Sequence, residues 1–199
     1  MTLANASCRL NPWPGPRLFL VTDEVRLPDP RCAMTRLPPG TGVLLRAYIR
    51  GKDDDMARAV ARLARRRRLV LVVAGDWRLA ARLGADGLHL PEAMARHGVL
   101  APALGWVRRC RRLLLVACHG DNALGRARTL GADAALLSPV FTTRSHPGAP
   151  TLGVLRFGLM ARRAGLPVIA LGGLDRRSRR RLPPGSAAGL AAISGLTTP

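Results

Sequence analysis

The feature that most constrains this chain is a recurring alternation: a short apolar run of strand length, then a polar or helix-forming stretch, then another apolar run. The runs fall at 18–22, 43–48, 69–73, 87–90, 113–116, 134–137, 167–171 and 189–193. Within each run the hydrophobicity is continuous rather than alternating, as in strands covered on both faces of a parallel sheet. The segments between them read as helices. Residues 53–66 open on Asp53, Asp54 and Asp55 and close on arginines, which suits the helix dipole at both ends. Residues 121–130 start on an aspartate and stop before Gly131; 153–164 stop before Gly165 and Pro167.

A weak internal repeat marks the same rhythm. LGADG at 83–87 and LGADA at 130–134 each join a helix end to a strand start, and GSAAG at 185–189 is similar. Glycine takes the left-handed conformation that ends a helix, and a short turn then begins the next strand. Repeated helix–Gly–x–x–strand junctions imply repeated βα units. Eight such units close a (β/α)₈ barrel of the TIM type, and this chain is short for one. The Pro-rich link 24–42 has room for only a stunted first helix, and the final helix is missing or minimal. An open doubly wound sheet is the rival, but no GxGxxG follows the first run.

Hydrophobic types make up 48% of the 199 residues, enough for one well-buried domain. The expected organisation is a Pro-rich lead, 1–17, and a single barrel domain, 18–199. No apolar run approaches the roughly 18 residues of a membrane span, and the N-terminal one is too short for a signal peptide, so a cytoplasmic protein is expected. Cys8, Cys32, Cys110 and Cys118 form no CxxC pair, which argues against metal or disulfide use. The net charge of +20 points to polyanions. Lys52 is the only lysine, however, and so one-sided a use of arginine also fits a genome-wide codon preference.

In a parallel barrel the chemistry sits where strands end and βα loops begin. Gly172-Gly173 directly follows the run PVIAL and precedes a helix expected from about Asp175; glycines there let backbone N–H groups approach an anion, or they simply turn the chain. Ile193 and Ser194 end the next run. The loop 138–153, SPVFTTRSHPGAPTLG, carries hydroxyls and a cation but too little apolar content for burial, so it grips a phosphate or is a mobile surface loop. His119, after a buried run, is either a proton carrier or a structural histidine bonded to a carbonyl. His89 lies inside an apolar run and is expected in the core. Asp23 is expected to bond loop amides, and Cys118 to be a small buried hydrophobe. The arginines of 65–68 and 108–112 fall before strands, opposite the site, and those of 176–181 point to solvent; they should bind polyanions weakly and with salt dependence.

Together LFLVTDE, LGADGLHL, VACHGDNALGRARTLGADAALLSPVFTTRSHPGAPTLG, LPVIALGGLD and GLAAISGL resemble the thiamine phosphate synthase/TenI family over about 18–196. The resemblance implies a (β/α)₈ fold and a role in thiamine biosynthesis. The synthase joins hydroxymethylpyrimidine diphosphate to a thiazole phosphate, releasing magnesium-bound pyrophosphate; TenI-type relatives move protons on a carboxythiazole phosphate with a histidine. Carried over by position, Thr143, Ser145, Gly172, Gly173, Ile193 and Ser194 hold the thiazole phosphate, and Arg46 remains from the diphosphate motif. His119 aligns with the acid/base histidine, and His146 stands where the phosphate loop has a lysine, which makes both catalytic candidates.

The diphosphate half departs from the pattern. Leu44 and Tyr48 replace a glutamine and a lysine, Ala74-Gly75 an Asn-Asp pair, Met94 a second aspartate, and Ala117 a serine. Asp76 and Glu92 are the nearest carboxylates, so Mg2+ is possible but doubtful. The functions implied are a divergent synthase, a TenI-like thiazole tautomerase using His119, or a non-catalytic thiazole-phosphate-binding regulator. The expected partner is a phosphorylated thiazole, with no specific nucleic acid or membrane, and a homodimer would cover the apolar helix surface left by the short C-terminus.

Overall fold

A computed structural model describes residues 13–46, 54–143, 148 and 150–193. Eight parallel strands close a barrel in chain order: β1 Leu18–Val21, β2 Gly42–Arg46, β3 Val70–Ala74, β4 Gly87–Leu90, β5 Leu113–Cys118, β6 Ala134–Leu137, β7 Val168–Leu171 and β8 Gly189–Ala192. The helices are α1 Arg31–Met34, α2 Asp54–Arg67, α3 Trp77–Leu83, α4 Glu92–His97, α5 Ala101–Arg109, α6 Asp121–Thr129 and α7 Gly153–Arg163. As the Pro-rich link suggested, α1 is a single turn.

A short chain closes this barrel because its interior mixes very large and very small side chains. Phe19 and Gly42 are register partners on β1 and β2, and a Cβ on Gly42 would collide with the Phe19 ring. The ring therefore lies across its neighbour and fills space that a larger residue on β2 would contest. Leu44, Val72, Leu115, Leu136 and Ile169 continue this inner cluster, with Ala134, Ala188 and Ala191 opposite. Trp13, from the Pro-rich lead, is buried in the same cluster. A second, larger cluster lies between the sheet and the helices. Both strand faces are thus covered, which accounts for continuous rather than alternating hydrophobicity.

The repeated LGAD junction has a physical role beyond ending a helix. Gly84 (φ +60°) and Gly131 (φ +74°) supply the left-handed residue after α3 and α6. Two residues on, Asp86 Oδ2 accepts from Leu71 N at 2.8 Å and Asp133 Oδ2 from Leu114 N at 2.7 Å. Each aspartate thereby pins its own strand start to the preceding strand and satisfies an edge N–H.

Beyond β7 the structure departs from the sequence pattern. Instead of a helix from about Asp175, there is only a 3₁₀ turn, Ser178–Arg181. Asp175 Oδ1 accepts from Arg177 N and Ser178 N, folding the segment back on itself before the prolines at 183 and 184. No described helix is long and apolar enough to cross a membrane.

Candidate functional site

The C-terminal ends of the strands form the barrel mouth. Register places Arg46, Ala74 and His89 level on β2, β3 and β4. Arg46 donates its backbone N–H to the buried Thr22 hydroxyl (3.0 Å), and its Nη1 lies 3.6 Å from Asp23 Oδ2. Asp23 Oδ1 in turn accepts from the backbone of Val25 and Arg26, as expected of a loop-bonding aspartate. Burial would raise the Asp23 carboxyl, but the backbone bond and charge of Arg26, with the charge of Arg46, outweigh it and hold the carboxyl below its ordinary range. Half the Arg46 side chain (51%) stays exposed, so an anchored cation faces the mouth. His89 is buried, as its apolar run suggested. Burial and the charge of Arg46 push it down to about 4, leaving a neutral ring whose Nδ1 has no partner among the described residues.

The tips of β4, β5 and β6 converge on His119. Its Nδ1 lies 2.8 Å from the carbonyl oxygen of Ser138; a carbonyl only accepts, so Nδ1 carries a proton and, in the neutral ring, Nε2 the lone pair. The Ser138 hydroxyl is 3.3 Å from the same Nδ1. Glu92, at the start of α4, accepts the His119 backbone N–H with Oε2 at 2.9 Å, and the same oxygen is 3.9 Å from Nε2. The bond to a carbonyl expected of a structural histidine is thus present, and it engages one ring nitrogen. Cys118 next to it is buried, and burial with the charge of Glu92 pushes its thiol up to about 12. That thiol is no nucleophile.

The tips of β6, β7 and β8 form a different surface. Val140 N donates to Leu171 O and Phe141 N to Gly172 O, so the loop after β6 begins as a backbone strap laid along the end of β7. Val140 is fully buried, contrary to the expectation that the loop lacks buried residues: strand-like pairing, not apolar content, holds its first part. Gly172 (φ +99°) and Gly173 (φ +63°) both lie in the left-handed half of backbone space. A Cβ on Gly172 would sit 2.8 Å from Pro139 Cα, and one on Gly173 2.5 Å from Thr142 O. The glycines thus do more than turn the chain; they admit the strap. Ser178 Oγ donates to Gly173 O at 2.9 Å and fixes the far side. Beside this junction opens a cavity of about 380 Å³, lined by Val140, Phe141, Thr142, Thr151, Ser178 and Arg181 among others. Arg181 stacks on the Phe141 ring, 5.1 Å from its centre. Ile193 closes β8 and packs against the barrel interior. Thr143 is half-buried at the edge of the strap. Tyr48, Arg144, Ser145, His146 and Ser194 lie outside the described residues.

A family model described as thiamine monophosphate synthase matches residues 20–196. The chain belongs to the thiamine monophosphate synthase family. The chain is 28% identical to a putative thiamine-phosphate synthase 2 of Aquifex aeolicus, an alignment covering 90% of this chain and 96% of that one. It is 31% identical to a thiamine-phosphate synthase of Methylobacillus flagellatus, over 73% and 68% of the two chains. Among solved structures, a thiamine phosphate pyrophosphorylase from Pyrococcus furiosus has the same fold, with a TM-score of 0.69 at 20% identity over 89% and 85% of the chains.

Set in that family, the donor set for magnesium is thin. Asp76 and Glu92 stand at the starts of α3 and α4, but Asp76 Oδ1 caps α3 by accepting Leu79 N at 2.9 Å, and Glu92 Oε2 holds the His119 backbone. Gly75 (φ +75°) offers no side chain, and Met94 no hard oxygen. Among the described residues no group of three or more His, Cys, Asp or Glu could hold a metal ion. The described side chains fit magnesium poorly. Asp76→Ala is expected to lower stability by about 1 kcal/mol through the lost cap, read from thermal or denaturant unfolding. A protein as stable as the parent would mean the cap contributes nothing.

The sequence pattern did not disclose Glu92 as the partner of His119. The signal was available: β4 and β5 are neighbours, so the residue two past one strand end lies beside the residue just past the other.

Proposed function

We propose that this family member binds a thiazole phosphate at the barrel mouth and acts in thiamine phosphate formation as a divergent synthase. The observation that carries the proposal is the Gly172-Gly173 pair, whose positive φ angles and close strap bring the backbone after β6 and the backbone after β7 together, with β8 next in the ladder. Glycines in such a turn let peptide N–H groups approach an anion closely. Thr143 and Ser145 on the strap, and Ile193 and Ser194 past β8, are the further phosphate contacts proposed. Arg46, anchored by Asp23, is placed to meet an anionic leaving group.

In the synthase reaction the thiazole ring nitrogen bonds to the exocyclic methylene carbon of the pyrimidine. The bond from that carbon to the diphosphate oxygen breaks, and pyrophosphate leaves with its electron pair. The chain's part is to hold the thiazole by its phosphate, present its nitrogen, and offer Arg46 to the departing charge. Incubation of purified protein with both substrates and magnesium tests this. Thiamine phosphate formed above a no-enzyme control, and lost in Arg46→Ala, is expected; none above control would remove the synthase reading, while calorimetry with thiazole phosphate alone tests the pocket separately.

A second reading, thiazole tautomerase, is favoured by one observation: His119 Nδ1 is committed to Ser138 O and leaves Nε2 as a base beside Glu92. A binding protein without turnover would show thiazole phosphate affinity and neither reaction.

A further inference from the structure

Acidic charge in this barrel is sorted by end. Apart from Asp86 and Asp133, the carboxylates of the described residues follow strand ends or begin helices, on the side of the mouth. Arginines occur at both ends, Arg46 and Arg181 among them at the mouth, but the opposite end, where helices stop and strands start, carries clusters: α2 ends on Arg65, Arg66 and Arg67, α5 on Arg108 and Arg109, and α7 on Arg162 and Arg163, all exposed. Asp86 and Asp133 offset only part of this charge, Asp86 with Oδ1 3.9 Å from Arg112 Nη1. Codon preference explains arginine in place of lysine; it does not explain why so few carboxylates accompany arginine at this end. Helix dipoles favour a cation at each of these ends, but α2 carries a run of them.

A second observation is independent of the count. After α3, α6 and α7 the left-handed residue is Gly84, Gly131 and Gly165; after α2 and α5 it is Arg68 (φ +53°) and Arg111 (φ +50°). These are the positive-φ residues other than glycine among those described. A backbone position at which glycine is unstrained is filled twice by arginine, both times at the basic end.

We propose that the end of the barrel opposite the site binds the phosphate backbone of a nucleic-acid duplex without regard to sequence. Fixed guanidinium groups spread over one rigid face suit a regular array of phosphates. Single strands are disfavoured: Trp106 of α5 is buried, and aromatic residues make up only 4% of the chain, so no ring platform for stacked bases is present there. A lipid surface is disfavoured too, since of the exposed large apolar side chains, Val25, Val99, Leu155 and Leu159, only Leu159 lies within a turn of an arginine cluster, too little to insert. The small phosphorylated substrate is a poor explanation for this charge, because it enters at the other end.

Arg68→Gly combined with Arg111→Gly tests the proposal without endangering the fold, since glycine relieves the backbone at both positions. Binding of a random-sequence DNA duplex is followed by fluorescence anisotropy across a salt series. The parent should bind with an affinity that falls steeply with salt. The double variant should melt no lower than the parent, bind about tenfold more weakly at moderate salt, and show a log K against log salt slope reduced by about 2. Arg176→Gly with Arg180→Gly, removing equal charge beyond β7, should change affinity by less than about threefold. No duplex binding by the parent, equal losses in both double variants, or binding to anionic phosphatidylglycerol vesicles but not duplex would each overturn the proposal.

Discussion

Gly173→Ala is expected to abolish measurable thiazole phosphate binding, a loss on the order of 100-fold or more, and to lower the melting temperature. Two effects act together. At φ +63° an L side chain meets the following carbonyl, which disfavours the native conformation by about 1–2 kcal/mol. The new Cβ would also stand 2.5 Å from Thr142 O and 2.7 Å from Phe141 Cβ. Neither neighbour is the loose end of a flexible chain; both belong to the strap held by the Phe141 N–H on Gly172 O. The strap must lift, and the proposed phosphate contacts lift with it. Gly131→Ala separates the two effects. It has a similar backbone strain (φ +74°), open space around the new methyl, and a place at the far end of the barrel. That variant should lose stability alone and keep its affinity. Calorimetry with thiazole phosphate and thermal unfolding of both variants check the contrast, and unchanged affinity in Gly173→Ala would place the ligand elsewhere.

Most of the architecture was legible in the sequence, because burial on both strand faces and glycine at helix ends leave direct traces. Helices α2, α6 and α7 fall within a residue of their expected bounds. The β4 and β6 runs match their strands, and the others differ by one or two residues at one or both ends, residues 47 and 48 of the second run lying outside the described residues. What escaped notice depends on contacts between distant segments. Asp86 and Asp133 sit in a visible repeat, but their bonds to Leu71 and Leu114 require knowing which strands are neighbours. Val140 looks like one apolar residue in a polar loop, and only its pairing with β7 buries it. The helix expected after the glycine pair is cut short to one 3₁₀ turn: Asp175 caps it by accepting Arg177 N and Ser178 N, but Leu182 is extended ahead of Pro183 and Pro184, which end the run. The proposed anion site therefore relies on the glycine backbone without a full helix dipole behind it, a narrower basis than the sequence suggested.

Replacing His119 distinguishes the two chemistries proposed for the mouth. If the chain shifts a proton on a carboxythiazole phosphate, His119→Ala should slow that isomerisation by on the order of 10²–10⁴-fold, the usual contribution of a placed acid/base. Thiazole phosphate affinity should change little, because the ring is on β5 and the proposed phosphate contacts are on the loops after β6, β7 and β8. The arrangement is specific about the atom: Nδ1 is spent on Ser138 O at 2.8 Å, so the proton must pass through Nε2, 3.9 Å from Glu92 Oε2. His119→Asn tests that assignment. Its shorter amide can keep the bond to Ser138 O but cannot accept and return a proton at neutral pH, so structure should survive and isomerisation should not. Glu92→Gln keeps an oxygen for the His119 backbone N–H while removing the negative charge beside Nε2, and should reduce isomerisation with the fold intact. NMR of the carboxythiazole phosphate isomers reads each rate. Equal rates in parent and His119→Ala would remove the imidazole from the chemistry, whereas loss of isomerisation with undiminished thiamine phosphate formation would assign the chain both activities and separate their residues.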